Sequence, residues 1–435
     1  MRASVFSRWG QVHAADLPSA RMAEGARRRL TYGLTRNIFL LAIASLLTDV
    51  SSEIIIPLLP LFLLTLPDVS LLVIGVIESV AESTVSLLKF VSGHVSDRFG
   101  KRKVFVALGY GASTLFKTIL PVAAVWPHVL AARLGDRVGK GVRDPPRDAL
   151  IAESTKPETV GKAFGFHRTM DTTGAVLGPI LVLVLFPIFS AQRGEAQAFR
   201  DLFLLAVIPA ALAFLVILAV REVAAKPKMT LRIRVSLRAL PVRLRLFVLV
   251  AAIYSLANFS ILLLIAYVAS LDVPVIGGRT LAILDYVMFN IVYALLAVQA
   301  GSLSDRVGRK PVLLVGYIAF VAGCVGFAVV SNAFVLVAFF FLFGISYAFV
   351  EGTQRALVSD LSPPDLKATS LGTFHAAVGL GKLPSSILAG FLAVTFAPSV
   401  MFLAHGTIAI VAATFFIGVF GERKPLASRG EGNAG

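Results

Sequence analysis

The sequence predicts an all-α integral membrane protein, with twelve transmembrane helices arranged as two pseudo-symmetric six-helix bundles. Three observations predict it. Apolar residues make up 57% of the 435 residues and charged residues only 15%. That is more apolar surface than a soluble fold can hide, so the surrounding solvent is mostly lipid. Apolar runs near the ~20 residues that span a bilayer recur along the whole chain, without the two-residue alternation of a membrane barrel strand. A charged segment also occurs twice. Gly93-His-Val-Ser-Asp97-Arg98-Phe-Gly100-Lys101-Arg102-Lys103 returns 208 residues later as Gly301-Ser-Leu-Ser-Asp305-Arg306-Val-Gly308-Arg309-Lys310. A repeat of nearly half the chain length, each copy joining two apolar runs, is the usual build of a secondary transporter.

The elements follow in order. Residues 1–35 are polar and Arg-rich and lack a signal-peptide core. They read as a cytoplasmic N-terminal segment, with Met22 a second candidate start. The first bundle, 36–220, holds spans at 36–66, 69–92, 103–124, 126–149, 158–189 and 200–220. The stretch 221–245 is a basic cytoplasmic connector, rich in Lys and Arg and punctuated by Pro227 and Pro241, suited to lying on a lipid surface. The second bundle, 246–421, holds spans at 246–271, 278–300, 311–330, 333–360, 367–396 and 398–420, and 422–435 is a cytoplasmic tail. The same offset relates Arg147 to Arg355 and His167 to His375.

The net charge of +16 invites a nucleic-acid partner, but its distribution argues against one. With the first loop motif inside, Arg27, Arg28, Arg29, Arg98, Lys101 and the connector all face the cytoplasm. The outside keeps little beyond Arg193, Arg200 and Arg279. That is the positive-inside rule, and the basic excess reports topology and contact with anionic lipid. The expected setting is the cell inner membrane with both termini cytoplasmic. The single cysteine, Cys324, excludes an internal disulfide and a thiol metal site.

These residues resemble the major facilitator superfamily over roughly 36–421. The first loop fits that family's G-x-x-x-D-R-x-G-R-R-R motif, with Lys at two basic positions. Arg137-Val-Gly-Lys140-Gly141 is similar to the family's R-x-x-Q-G motif of helix 4, with Lys140 in place of Gln. Gly174-Ala-Val-Leu-Gly178-Pro179 is similar to the antiporter element of helix 5. The resemblance leans toward the prokaryotic drug:proton antiporter branch. It implies the major facilitator fold, a cavity between the halves lined by helices 1 and 10, and a monomer.

The charged residues inside spans are the candidates for proton coupling or substrate contact, because ionisable groups in a bilayer are costly and normally have a role or a partner. Asp49 and Glu53 share one face of helix 1, and Glu78 and Glu82 one face of helix 2. Arg133, Arg137 and Lys140 share a face of helix 4. Arg143 and Arg147 lie near that helix's cytoplasmic end, where snorkelling accounts for them. His167 and Asp171 on helix 5, with Arg355 on helix 10 and His375 on helix 11, complete the set. The bland alternatives are structural ion pairs for the acids, with an arginine of helix 4 as partner, and hydrogen-bonded gate residues for the histidines. No ligand spacing supports a metal.

Gly93, Asp97, Arg98, Gly100 and Lys101, with Gly301, Asp305, Arg306, Gly308 and Arg309, form the gating candidates. Asp97 is placed to answer a helix dipole, and Arg98 and Lys101 to pair with Asp144 or Asp148. The alternative is a topogenic turn. Gly174, Gly178 and Pro179 permit close helix packing. The leading functional expectation is proton-coupled efflux of small organic molecules, protons being the coupling ion. The runner-up is an importer or uniporter of an anionic metabolite, and a third reading is a transporter-derived receptor or lipid flippase. An enzyme is not expected, since no phosphate-binding Gly-Lys-Ser/Thr loop or nucleophile elbow occurs, and no cofactor is implied.

Overall fold

The computed structural model describes residues 35–156, 159–223, 240–274, 276–330, 332–363 and 366–421. The N-terminal segment, the C-terminal tail and most of the basic connector lie outside the described residues. Twelve long helices follow the predicted spans: α1 (Arg36–Leu63), α2 (Leu71–Phe99), α3 (Arg102–Lys117), α4 (Trp126–Glu153), α5 (Val160–Arg193), α6 (Glu195–Leu218), α7 (Val242–Ala269), α8 (Gly278–Val307), α9 (Arg309–Val329), α10 (Ala333–Leu361), α11 (Lys367–Thr395) and α12 (Pro398–Phe420).

Eleven of them are long and apolar enough to cross a membrane. The twelfth, α4, has the length but carries charge through its second half. It is sheathed by α2 and α3, whose side chains answer that charge. The main shifts in boundary lie at α2 and α8, which run on through the loop motifs to Phe99 and Val307 rather than ending at 92 and 300, at α3, which stops at Lys117 and passes into the 3₁₀ turn Leu120–Val122, and at α6, which begins at Glu195 rather than 200. Helix α7 is broken. Its first piece ends at Ala257, and Ser260 starts the second at Ile261 by accepting a hydrogen bond from the Leu262 amide at 3.2 Å. The Ser260 amide in turn donates to Ser386 Oγ of α11 at 2.9 Å. A broken helix at membrane depth is tolerated where its freed backbone groups find such partners.

The two halves repeat one packing scheme. In the first, α1 lies on α5 and α6, and α4 on α2 and α3. In the second, α7 lies on α11 and α12, and α10 on α8 and α9. Between the halves, α2 packs on α11, α5 on α8, and α1 on the second piece of α7. The α2–α11 seam is tight at the end away from the loop motifs, called here the far side. A Cβ on Gly75 would lie 2.1 Å from the Ser386 carbonyl oxygen, and one on Gly390 2.5 Å from that of Leu71. Only glycine permits so close an approach. Arg279 of α8 also pairs with Glu195 of α6 there.

Candidate functional site

With the halves joined on the far side, a cavity of about 400 Å³ opens between them. It runs from Ile56, Ile261 and Ser386 at its deep end to Lys89, Arg355 and His375 toward the motif side. Arg133, Arg137 and Lys140 all line it, so the predicted charged face of α4 is the cavity wall. Asp136, between them in sequence, turns the other way. It accepts a hydrogen bond from Ser113 Oγ of α3 and faces Lys117 Nζ at 3.7 Å. Lys117 also donates to Ser51 and Ser52 of α1, both at 2.9 Å. Sequence reading missed Lys117, although a lysine ending an apolar helix was its signal.

Glu78 and Glu82 sit on the facing wall. Arg133 grips Glu78 with two bonds, Nε to Oε1 at 2.6 Å and Nη2 to Oε2 at 3.2 Å, both side chains buried. The planar guanidinium suits that two-point grip. Glu82 is held more loosely, with Arg137 Nε at 3.3 Å and Lys382 Nζ of α11 at 3.9 Å. Arg137 Nε is buried and makes no hydrogen bond of good geometry. Among the described residues Lys140 has no acid within ion-pairing distance.

Asp49 and Glu53 depart from expectation. Neither is among the cavity's lining residues, and neither forms an ion pair with an arginine of α4. The reason lies in α5. A Cβ on Gly174 would lie 2.6 Å from the Leu46 carbonyl oxygen and 3.0 Å from Asp49 Cβ, and one on Gly178 2.5 Å from Glu53 Cβ. The predicted packing glycines therefore press α5 onto the acidic face of α1, with Pro179 next in sequence, and turn both acids toward neighbouring helices. Glu53 accepts from Tyr286 Oη of α8 at 2.6 Å. Asp49 meets the Asp171 carboxyl of α5 within hydrogen-bonding reach. Asp171 also accepts from Ser45 Oγ at 2.7 Å and pairs with Arg168 at 3.0 Å.

From Arg168 a ladder crosses between the halves. Arg168 Nη2 donates to Tyr293 Oη of α8 at 2.7 Å, Tyr293 Oη donates to Glu351 at 2.8 Å, and Glu351 pairs with Arg355 one turn on. Nothing in the sequence marked Tyr286 or Tyr293. The repeat-related histidines do not meet. His375 lines the cavity beside the Phe374 ring, whereas His167 is buried within the first half, its Nε2 without a hydrogen-bond partner among the described residues. No group of three metal-binding side chains occurs among the described residues.

Two expectations at the motif side are corrected. Arg98 and Lys101 do not reach Asp144 or Asp148. Asp144 is held by Lys89 at 2.9 Å, with Arg147 and Arg143 at 3.5 and 3.7 Å, and Asp148 by Arg147 at 3.0 Å. Nor does Arg143 snorkel, since it is buried over the Tyr110 ring, 4.5 Å from its centroid.

The motif's working arginine in the first half is Arg102. It bonds Ser96 Oγ at 2.8 Å and Glu153 at 3.2 Å, as Arg309 bonds Ser304 Oγ at 2.7 Å and Asp360 at 3.0 Å, with Asp305 in addition. One extra residue, Lys101, separates the left-handed Gly100 from its helix, whereas Gly308 leads straight into Arg309. Glu222 caps α3 by accepting from the Arg102 and Lys103 amides. Arg98 and Arg306 are exposed, and the Asp97 side chain lies outside what is described. A Cβ on Gly93 would lie 3.2 Å from Pro145 Cβ of α4, while one on its repeat Gly301 would meet open space.

Two repeated helix groups around a charged, polar cavity define a membrane transporter. The chain belongs to the Major Facilitator Superfamily, whose family model matches residues 41–284 and 247–435. An MFS-type transporter of Methanocaldococcus jannaschii is 37% identical over 388 residues, covering 88% of this chain and 95% of that one. A protein of Mycobacterium tuberculosis is 25% identical over 336 residues, covering 74% and 78%. Among solved structures, the nucleoside transporter NupG superposes with a TM-score of 0.74 at 14% identity, covering 88% of this chain and all of that one. The peptide transporter POT superposes with 0.75 at 13% identity, covering 93% and 98%. These structures share the fold. The chain is a transporter by family, not an enzyme.

Proposed function

We propose that this chain is a proton-coupled secondary transporter that moves small organic molecules across the cell inner membrane by alternating access, as a monomer with both termini cytoplasmic. The observation that carries the reading is the contact of Asp49 with Asp171, both half-buried where Gly174 lets α5 close on α1. Two carboxyl groups in contact within a membrane hold one proton between them, since two bare charges there repel in a low dielectric. Arg168 and Tyr293 link that pair to the second half, so loading and unloading of the proton acts on the contact between halves. On this reading the present state is open to the cytoplasm, and the loop motifs are the latch that forms as that side closes.

Two directions of transport have support. The packing of Gly174 and Gly178 on the acids of α1, and the likeness of that element to the antiporter motif, support export in the manner of the drug:proton antiporter branch. The surplus of cations in the cavity supports uptake of an anionic metabolite.

Everted vesicles holding the protein test the proposal. Under an imposed proton gradient, a panel of weak bases, cationic dyes and organic anions is added while a pH-sensitive dye is followed. At least one compound is expected to move protons. Asp49→Asn is expected to abolish that movement and keep unlabelled-for-labelled exchange of the same compound. An Asp49→Asn and Glu53→Gln variant, folded in the membrane, that keeps full gradient-driven transport would sink the coupling role.

A further inference from the structure

We infer that the first half holds a halide ion, chloride, buried between Arg143 of α4, Tyr110 of α3 and His167 of α5. None of these residues is among the cavity's lining. The site therefore lies off the cavity and is independent of what the cavity carries.

The polar atoms left over in the first half point to it. Tyr110, Arg143, Asp144 and His167 are each 7% exposed or less. Tyr110 Oη, Arg143 Nε and Nη1, Asp144 Oδ1 and His167 Nε2 have no hydrogen-bond partner among the described residues. Buried polar groups normally have one, and a buried charge without one is costly. Helix register puts these atoms at one level. Counted from the motif-side ends of α3, α4 and α5, Tyr110, Arg143 and His167 all lie about 10–15 Å in, at the rise of an α-helix. The Arg143 guanidinium lies over the Tyr110 ring, and Asp144 and Arg147 face both Tyr110 and His167. A Cβ on Gly109 of α3 would lie 2.6 Å from Arg143 Cβ. Glycine there lets α4 lay this arginine across α3.

The chemistry of the leftover atoms selects the ligand. The guanidinium N–H groups and the phenol O–H are donors, and His167 Nε2 is one in the tautomer that protonates it. The one acceptor, Asp144 Oδ1, already has Arg147 and Arg143 at 3.5 and 3.7 Å. Water brings donors as well as acceptors, whereas a halide only accepts. Charge selects in the same sense. Arg147 has Asp148 at 3.0 Å, which leaves Lys89 and Arg143 to share Asp144, with one positive charge over.

The surroundings select for size and give a way in. Around Tyr110 stand Ile38 and Leu41 of α1, Leu150 and Ile151 of α4 and Ile217 of α6, all near the motif-side ends of their helices. That apolar shell closes the site toward the motif side and offers nothing to the further oxygens of a larger anion. Lys89 gives access from the other direction, since it lines the cavity and holds Asp144 at 2.9 Å. The counterpart in the second half is satisfied. Tyr317 follows Tyr110 by the same 207 residues that separate Arg309 from Arg102, and its hydroxyl accepts from Gln354 at 3.1 Å.

The purified full chain in detergent provides the test. It is held in sodium gluconate at fixed ionic strength, and gluconate is exchanged for chloride, bromide or isethionate while the thermal midpoint is followed. Chloride and bromide are expected to raise the midpoint saturably, and isethionate is not. Tyr110→Phe removes one unbonded hydroxyl and keeps the ring under Arg143. It is expected to raise the half-saturating chloride concentration about fivefold, the loss of one hydrogen bond. Arg143→Met is expected to abolish the response, and Tyr317→Phe to keep the parent's. Crystals grown in bromide are expected to show an anomalous peak beside Arg143 and Tyr110. A midpoint indifferent to chloride overturns the inference, as does an equal response to isethionate or a Tyr110→Phe variant with the parent's half-saturation. Density at Arg143 without an anomalous peak also overturns it and assigns those atoms to ordered water. None of these outcomes touches the transport reading, which rests on Asp49 and Asp171.

Discussion

The two halves of the molecule share one helix arrangement and differ in what fills it. Inside the first half lie Glu78, Lys117, Arg133, Asp136, Arg137, Arg143 and Asp144, all buried and all charged residues. Inside the second half the buried charged residue is Asp285, with neither oxygen bonded among the described residues, and His405 sits between the Met401 and Ser385 carbonyls. The space is filled instead by rings. Phe259 packs edge-on to Phe320, Phe343 and Phe402, and Phe327 meets Phe340, Phe343 and Phe402. The repeat thus constrains how backbones approach and leaves interior chemistry free. Ion pairs have a discrete bonded geometry that charge or protonation can change. Aromatic packing has no such handle. The first half is built to respond, and the second to be a frame.

The largest test of that contrast is Arg133→Ala. It strands Glu78, buried and ionisable, without its two-bonded partner, at a cost of about 3–5 kcal/mol. The expected result is loss of most monodisperse protein on mild heating in detergent. Arg133→Met combined with Glu78→Met replaces the pair by apolar volume and is expected to recover the fold while losing transport. In the second half, Asp285→Asn removes a carboxylate with no hydrogen-bond partner among the described residues and is expected to leave the thermal midpoint unchanged or higher. Equal losses in both halves would dissolve the contrast.

How much of this was legible from residues alone follows the same division. Composition and repeat period gave the spans and the doubled membrane architecture, because lipid imposes length and apolarity on every helix, while the family rested on the resemblance of the loop, helix 4 and helix 5 motifs. The cavity face of α4 was legible because Arg133, Arg137 and Lys140 obey the helical period. Partners across helices were not. Asp136 adjoins Arg137 in sequence yet belongs to Lys117 of α3, and Glu53 bonds a tyrosine 233 residues away. The loop motif misled by a single position: the offset aligned Lys101 with Arg309, whereas the one-residue lengthening after Gly100 gives the role to Arg102. Such register depends on backbone turns that the spacing of charges does not encode.

The two motif arginines sharpen the comparison at smaller scale. Arg102 has a side chain 7% exposed and Glu153 one 28% exposed, whereas Arg309 is 22% exposed and its acid Asp360 52%. Water and salt screen the second pair more. Arg102→Ala is expected to lower stability by about 1–2 kcal/mol, since Ser96 and Glu153 lose a buried donor. Arg309→Ala is expected to cost less than about 1 kcal/mol. Paired thermal melts at low and high salt check both, and only the Arg309 difference should shrink as salt rises. A larger loss at Arg309 would mean that the second motif, not the first, carries the latch.

The smallest expected effect falls where the halves touch. Tyr293 Oη receives Arg168 from α5 and gives to Glu351, and among the described residues it joins the acidic pair of the first half to the ion pair of the second. Tyr293→Phe deletes that oxygen and keeps the ring, which meets Tyr347 edge-on. Two partly solvated hydrogen bonds contribute about 1 kcal/mol together, because water replaces part of each. Stability should therefore hardly change. The rate at which the halves exchange states should rise or fall by about two- to fivefold, the equivalent of that energy on a barrier. Distance reporters placed across α5 and α8 on the motif side would follow it, and proton-driven flux would follow in step. If the exchange rate shifts and the thermal midpoint does not, the responsive half is wired to the frame through this hydroxyl. If neither moves, the two halves communicate through the far-side seam at Gly75 and Gly390, and the ladder is only a contact.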